Sequence, residues 1–134
     1  MTQEQKDLLL KDLCCRLPYG VKFRYKYIDE FFHENYGTST LTGVRPPYRI
    51  EHLTLVGNEY LEIEKAEIKP YLFPLSSMTE EQRKEFDTTL KYLPAEEIDV
   101  WTLDTYDWCD KNHFDYRGLI PKGLATDATN LNIY

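Results

Sequence analysis

Between Thr105 and Ala125 the chain gathers its densest set of reactive side chains: Asp107, Asp110 and Asp115, Trp108, Cys109, His113 and the pair Arg117-Gly118, with Asp104 just before them. Cys109 and His113 stand at i and i+4, so on a helix both offer themselves to one metal ion. Zinc requires two further ligands, and the sequence holds no CxxC, HxxxH or HExxH to supply them. A core cysteine beside a helix-terminal histidine accounts better for the pair. Asp104, Asp107 and Asp110 recur every three residues and share a helix face, which suits a divalent cation or an acid/base pair with one raised pKa. No glycine-containing loop of EF-hand form accompanies them, so a solvated face is expected.

Other chemistries lack their signatures. There is no GxSxG elbow, and Ser39, Ser76 and Ser77 have no local histidine. Cys14 or Cys15 could join His33, His52 or His113 only through the fold, with no sequence pattern to say so. The six glycines form neither GxGxxG nor GxxxxGK[ST], so no loop cradles a phosphate. The expectation is no catalytic residue, no metal ligand and no cofactor. Tyr116 and Arg117 are the two candidates for touching a partner, since Tyr and Arg are enriched where proteins bind. The competing structural account packs Phe114 and Tyr116, pairs Arg117 with an aspartate and turns the chain at Gly118.

The elements that must position these residues are readable from periodicity. Thr2 to Leu17 predicts a helix, with Thr2 and Gln5 as a capping box and Leu9, Leu13 and Leu17 on one face. From residue 21 to about 73 the period changes to alternation. Val21, Phe23, Tyr25 and Tyr27 alternate with Lys22, Arg24 and Lys26, which places the tyrosines on the buried face. Thr38 to Val44 predicts a second strand after a loop over residues 30–37. Tyr48 to Val56 and Tyr60 to Ile68 flank Gly57-Asn58, expected as a hairpin turn. Pro70 and Pro74 are expected to end the sheet.

A second helix is predicted from Thr79, capped by Gln82, with Phe86, Leu90 and Leu93 as its stripe and Pro94 as its stop. Ile98 to Trp101 reads as a short edge strand or a helix start. Leu103 to about Asn112 reads as a third helix facing inward through Leu103, Tyr106 and Cys109 or Trp108. The fold class is therefore α+β. A small bent antiparallel sheet or SH3-like partial barrel (about residues 21–73) packs with an N-terminal helix and two C-terminal helices. One domain is expected over 1–134: helix 1–17, sheet 21–73, a helical part 79–125 and a polar tail 126–134 that docks through Leu131, Ile133 and Tyr134.

Composition narrows the partners. The net charge is −7 and uneven: residues 1–71 carry ten basic against eleven acidic side chains, residues 72–134 six against twelve. Such an acidic half repels a phosphate backbone, so nucleic acid is not expected. No apolar run suits a bilayer or a signal peptide, and the three cysteines are odd in number, with Cys14 and Cys15 adjacent. Reduced thiols in the cytoplasm are the expectation, with no membrane partner.

The segments LPYGVK (17–22), IKPYLFPLSSMTEEQRKEF (68–86) and NHFDYRGLIPKGLA (112–125) resemble recurring phrases in short uncharacterised proteins of Bacteroides-type gut bacteria, several of them in prophage or mobile-element neighbourhoods. The resemblance spans the start, middle and end of the chain, and Phe23 to Ala66 departs most from it. It implies a bacterial, cytosolic, single-domain protein and transfers no activity, ligand or site residue. The function expected is a non-enzymatic protein-binding or accessory module. One alternative is an acidic decoy that mimics nucleic acid and occupies a DNA-binding protein. Another is a small metal-dependent hydrolase centred on 104–117.

Overall fold

The computed structural model describes all 134 residues and is α+β, with three helices and a mostly antiparallel sheet. Helix α1 (Gln3–Arg16) starts as its sequence requires: Thr2 Oγ1 accepts from Gln5 N at 3.1 Å, and Gln5 Oε1 accepts from Thr2 N at 2.9 Å. Gly20, with φ 67°, then turns the chain into β1 (Lys22–Ile28). β2 (Glu34–Arg45), β3 (Arg49–Thr54), β4 (Gly57–Glu62) and β5 (Ala66–Pro74) follow, all in antiparallel contacts in the order β4-β3-β2-β1-β5.

This order forces curvature. β4 and β5 lie at the two ends of the five-strand row, yet residues 63–65 alone connect them. Across a flat sheet the gap is about 19 Å, four spacings of ~4.8 Å. Three connecting residues reach at most about 14 Å. The sheet must therefore bend until its edges face each other. A hollow of about 310 Å³ is accordingly lined by both sides, Tyr27 and Ile28 of β1 against Tyr60 and Leu61 of β4, with Ala66 of β5. β4 and β5 do not pair, so the curled sheet stays unclosed. Leu9 and Leu13 of α1 join Phe23, Leu41, Ile50 and Ile68 of the strands in the main core.

Helix α2 (Glu80–Thr89), a small hairpin of β6 (Lys91–Leu93) and β7 (Ile98–Val100), and helix α3 (Leu103–Lys111) follow. β8 (Phe114–Asp115) and β9 (Thr126–Asp127) then return to β5 in parallel. The helices supply the long crossover that parallel pairing needs. The C-terminal tail docks: Tyr134 Oη accepts from Lys22 N at 2.8 Å and donates to Tyr71 O at 2.9 Å.

Five sequence expectations need correction. β2 begins at Glu34, because Asp29 anchors the preceding turn by accepting from Phe31 N and His33 N, so no loop persists to Gly37. The β3–β4 turn is Leu55-Val56 and not Gly57-Asn58, since Thr54 pairs with Gly57 and the Thr54 hydroxyl closes the turn on Gly57 O. The prolines do not end the sheet: β5 runs through Pro70, whose far flank is unpaired because β9 joins only at Tyr71, and stops at Pro74. Helix α2 ends at Thr89, and Leu90 and Leu93 leave the predicted stripe as Leu90 turns extended into β6. In α3 Leu103 and Tyr106 are exposed, while Thr105, Cys109 and Asp110 are buried. The face turned inward is thus partly polar.

Candidate functional site

The segment richest in reactive groups is consumed by folding. Thr102 and Thr105 hydroxyls both donate to Thr89 O, at 2.8 and 3.0 Å, fastening the start of α3 to the end of α2. Cys109 lies in a second core cluster with Phe86 and Phe114, and burial pushes its thiol up to about 12. It is neutral and unreactive there. His113 follows the helix end with φ 63° and lies flat on Tyr134, ring centroids 3.7 Å apart. Burial, with the positive charges of Arg16 and Lys22 behind it, pulls His113 down to about 4, so the ring is neutral at pH 7. Asp115 accepts from Leu119 N and Ile120 N, both at 2.9 Å, and so fixes the turn that follows.

Asp110 and Arg117 meet residues of α1. Arg16 is fully buried; its Nε donates to Asp12 Oδ2 at 2.9 Å and its Nη2 to Phe114 O at 2.6 Å. Arg117 Nη1 donates to the other Asp12 oxygen at 3.0 Å, and its guanidinium sits 4.5 Å from the centre of the Tyr116 ring. Tyr116 Oη donates to Asp110 Oδ1 at 2.8 Å, and burial raises Asp110 above the usual carboxylate range. Two cations, two carboxylates and a phenol thus meet between α1, α3 and the following turn, with Arg16 Nη1 alone left without a hydrogen-bond partner. Arg117 is therefore engaged within the molecule. Tyr116 keeps one face on a shallow hollow of about 420 Å³ with Val100, Trp101 and Tyr106.

The requirements for chemistry do not converge. No three His, Cys, Asp or Glu side chains come together to hold a metal ion. Asp110 turns inward to Tyr116 while Asp104 and Asp107 stay exposed, so the three-residue spacing does not yield one carboxylate face. Cys109, His113 and Arg117 occupy three different settings: an aromatic core, a stack on Tyr134 and a pair with Asp12. Cys14 is exposed, and partial burial with its neighbour Cys15 raises its thiol, the opposite of what a nucleophile needs.

A second constellation lies at the mouth of the curled sheet. Strand alternation turns Phe23, Tyr25 and Tyr27 of β1 inward, and cross-strand register puts Ile50 opposite Leu61 and His52 opposite Glu59. The inner face is consequently apolar around Ile50 and Phe23 and becomes aromatic and polar toward Tyr25, His52 and Glu59. The Tyr25 ring lies 5.3 Å from the His52 ring and 6.2 Å from that of Tyr27. Gly37 makes this possible: a Cβ there would stand 2.9 Å from the Tyr25 hydroxyl, so only glycine lets that ring lie across β2.

His52 is 2% exposed, and neither ring nitrogen has a hydrogen-bond partner. Burial lowers its pKa against the opposing pull of Glu59, leaving a neutral ring with one donor and one acceptor unused. Such an orphaned buried group calls for an explanation. Around it opens a cleft of about 570 Å³, lined by Tyr25, His52 and Glu59, by Leu53 of β3 and by Leu55 and Val56 of the β3–β4 turn. Leu55 and Val56, 107% and 83% exposed, hold the two turn positions where Gly, Asn or Asp is the usual choice.

The sequence pattern contained part of this. In Arg49-Ile-Glu-His-Leu-Thr54 the period of two places His52 on the face of Ile50, which marks a histidine among core positions. The turn was hidden by Gly57-Asn58, a stronger turn signal two residues downstream. Comparison with protein-family models, with curated proteins and with solved structures gives no match.

Proposed function

We propose that the protein is a non-enzymatic binding module that receives another protein at the mouth of an SH3-like partial barrel. The strand order, the three-residue link from β4 to β5 and the single long β2 paired on both sides support the barrel description. One observation carries the binding reading: the Leu55-Val56 turn exposes two large apolar side chains beside an open cleft. A free-standing hairpin gains nothing from them there, and exposed apolar groups around a concave site mark a contact surface. The surplus of acid, net −7, directs the reading toward a partner with a basic surface.

The experiment is photo-crosslinking from a reactive residue at Val56 in growing bacterial cells, alongside the double variant Leu55→Asp, Val56→Asp. A single stoichiometric adduct is expected from the parent chain, and its loss from the double variant, while an equally exposed reactive residue at Lys11 of α1 gives none. Absence of any adduct, or one that the aspartates leave intact, would overturn the reading.

A further inference from the structure

The chemistry of the mouth specifies more than an apolar contact. The sheet strands β1 to β5 hold five carboxylates, and four have a basic partner: Glu34 with Lys26, Glu51 with Arg45, Glu62 with Arg49 and Lys65, and Glu67 with Lys69. Glu59 is the exception. It has no ion partner, no Lys or Arg lines the 570 Å³ cleft, Lys65 of the neighbouring hollow is held by Glu62 at 3.2 Å, and Glu59 stands across from the unpartnered His52.

We infer that this cleft takes a basic side chain, lysine or arginine, from the protein partner, with Glu59 as its counter-ion. The inference rests on the binding-module reading and names the chemistry of its ligand. An alkyl stem lies along Leu53, Leu55 and Val56, as long basic side chains do when they cover apolar surface. Its charged end then meets the Glu59 carboxylate and the face of Tyr25, whose negative quadrupole attracts a cation. The ring of His52 forms the cleft floor. Both ring nitrogens are sealed from solvent in the free chain, and a side-chain shift at the mouth lets the unpartnered acceptor take the incoming N–H. Other occupants fit worse. An acidic side chain meets Glu59 with nothing to balance it, and an apolar one leaves His52 unpaired. The cleft, about 570 Å³, lies in the range of sites that enclose a single side chain or small ligand.

The test is an NMR titration of the full chain, following His52 ring signals and the amides of residues 52–59. The probes are acetylated, amidated tripeptides Ala-X-Ala with X as lysine, arginine, norleucine or glutamate, and free putrescine. Saturable shifts confined to the mouth are expected with lysine and arginine. Norleucine and glutamate should bind at least tenfold more weakly, and Glu59→Gln should weaken the basic probes at least fivefold with its fold unchanged by backbone shifts. Norleucine equal to lysine, basic probes indifferent to Glu59→Gln, or putrescine binding tenfold tighter than the lysine peptide would each overturn the inference. The two readings fail separately. If the crosslinked partner is lost in the Leu55→Asp, Val56→Asp variant but persists undiminished in Glu59→Gln, the module stands and the basic side chain falls.

Discussion

Arg16 and His52 are both basic side chains withdrawn from water, 0% and 2% exposed, yet their surroundings differ in kind. Arg16 is met by Asp12, by the Phe114 carbonyl, by the Tyr116 ring at 5.4 Å and by Asp110 at 4.0 Å. His52 is met by the rings of Phe23 and Tyr25, with Glu59 across from it and no hydrogen bond to either nitrogen. Arg16 lacks a partner only at Nη1, and the ionic groups around it tie α1 to α3 and to the turn at Tyr116. A polar group left incomplete beside an open cleft is available to something else. The contrast separates the residues that fold this protein from those that we assign to its contacts.

The contrast breaks first at Asp12. Removing one member of a buried ionic network leaves its partners uncompensated, so Asp12→Ala should cost about 3–5 kcal/mol in urea unfolding. The paired replacement Asp12→Leu, Arg16→Met should recover only part of that loss, because it removes two buried charges but leaves Arg117 and the Phe114 carbonyl without their partners. A cost under 1 kcal/mol for Asp12→Ala would show that the network is not structural.

His113 gives the next largest effect. Its native pKa, about 4, lies below the ordinary histidine value, so between these two the unfolded chain binds a proton that the native state refuses. Stability should therefore fall as pH drops from about 6.5 to about 4, by roughly 2–3 kcal/mol from this residue. Below about 4 the contribution is flat. Asp110 acts in the opposite sense, since its raised pKa lets the native state keep a proton that the unfolded chain releases. Comparing the wild type with His113→Asn, which tolerates the positive φ, isolates the histidine: the gap in stability between them should change across that window and nowhere above it. Smallest is Glu59→Gln. A carboxylate without an ion partner at an exposed edge should change stability by less than ~0.5 kcal/mol, measured by the same unfolding curves.

The fold was more legible in the sequence than the site. The capping boxes at Thr2 and Thr79, the β1 alternation and the helical runs identified the α+β class and its helices because each depends on local spacing. Pro70 misled, because whether a proline interrupts a sheet depends on which flank has a neighbour, and that is set by β9 more than fifty residues away. Asp12 and Arg16 at i and i+4 look like an ordinary surface pair of a helix; only the fold brings Arg117 to them, 105 residues on from Asp12. Cys109, His113 and Arg117 drew attention by type. The packing assigns them to core, stack and ion pair, and no spacing rule separates those fates from catalysis. His52 and Glu59 drew little, since their juxtaposition is a matter of hairpin register, and the register turned on two turn residues of the wrong chemical type.

His52 is unpartnered within the chain, and we assign it to something outside. The most direct measurement is the unfolding free energy of His52→Phe beside the wild type at pH 7. Phenylalanine keeps the ring contacts with Phe23 and Tyr25 and removes only the unpaired nitrogens, so stability should be unchanged or raised by up to about 1 kcal/mol. A loss of more than 1 kcal/mol would mean that His52 hydrogen-bonds within the folded chain, and would contradict the assignment of the mouth to a partner.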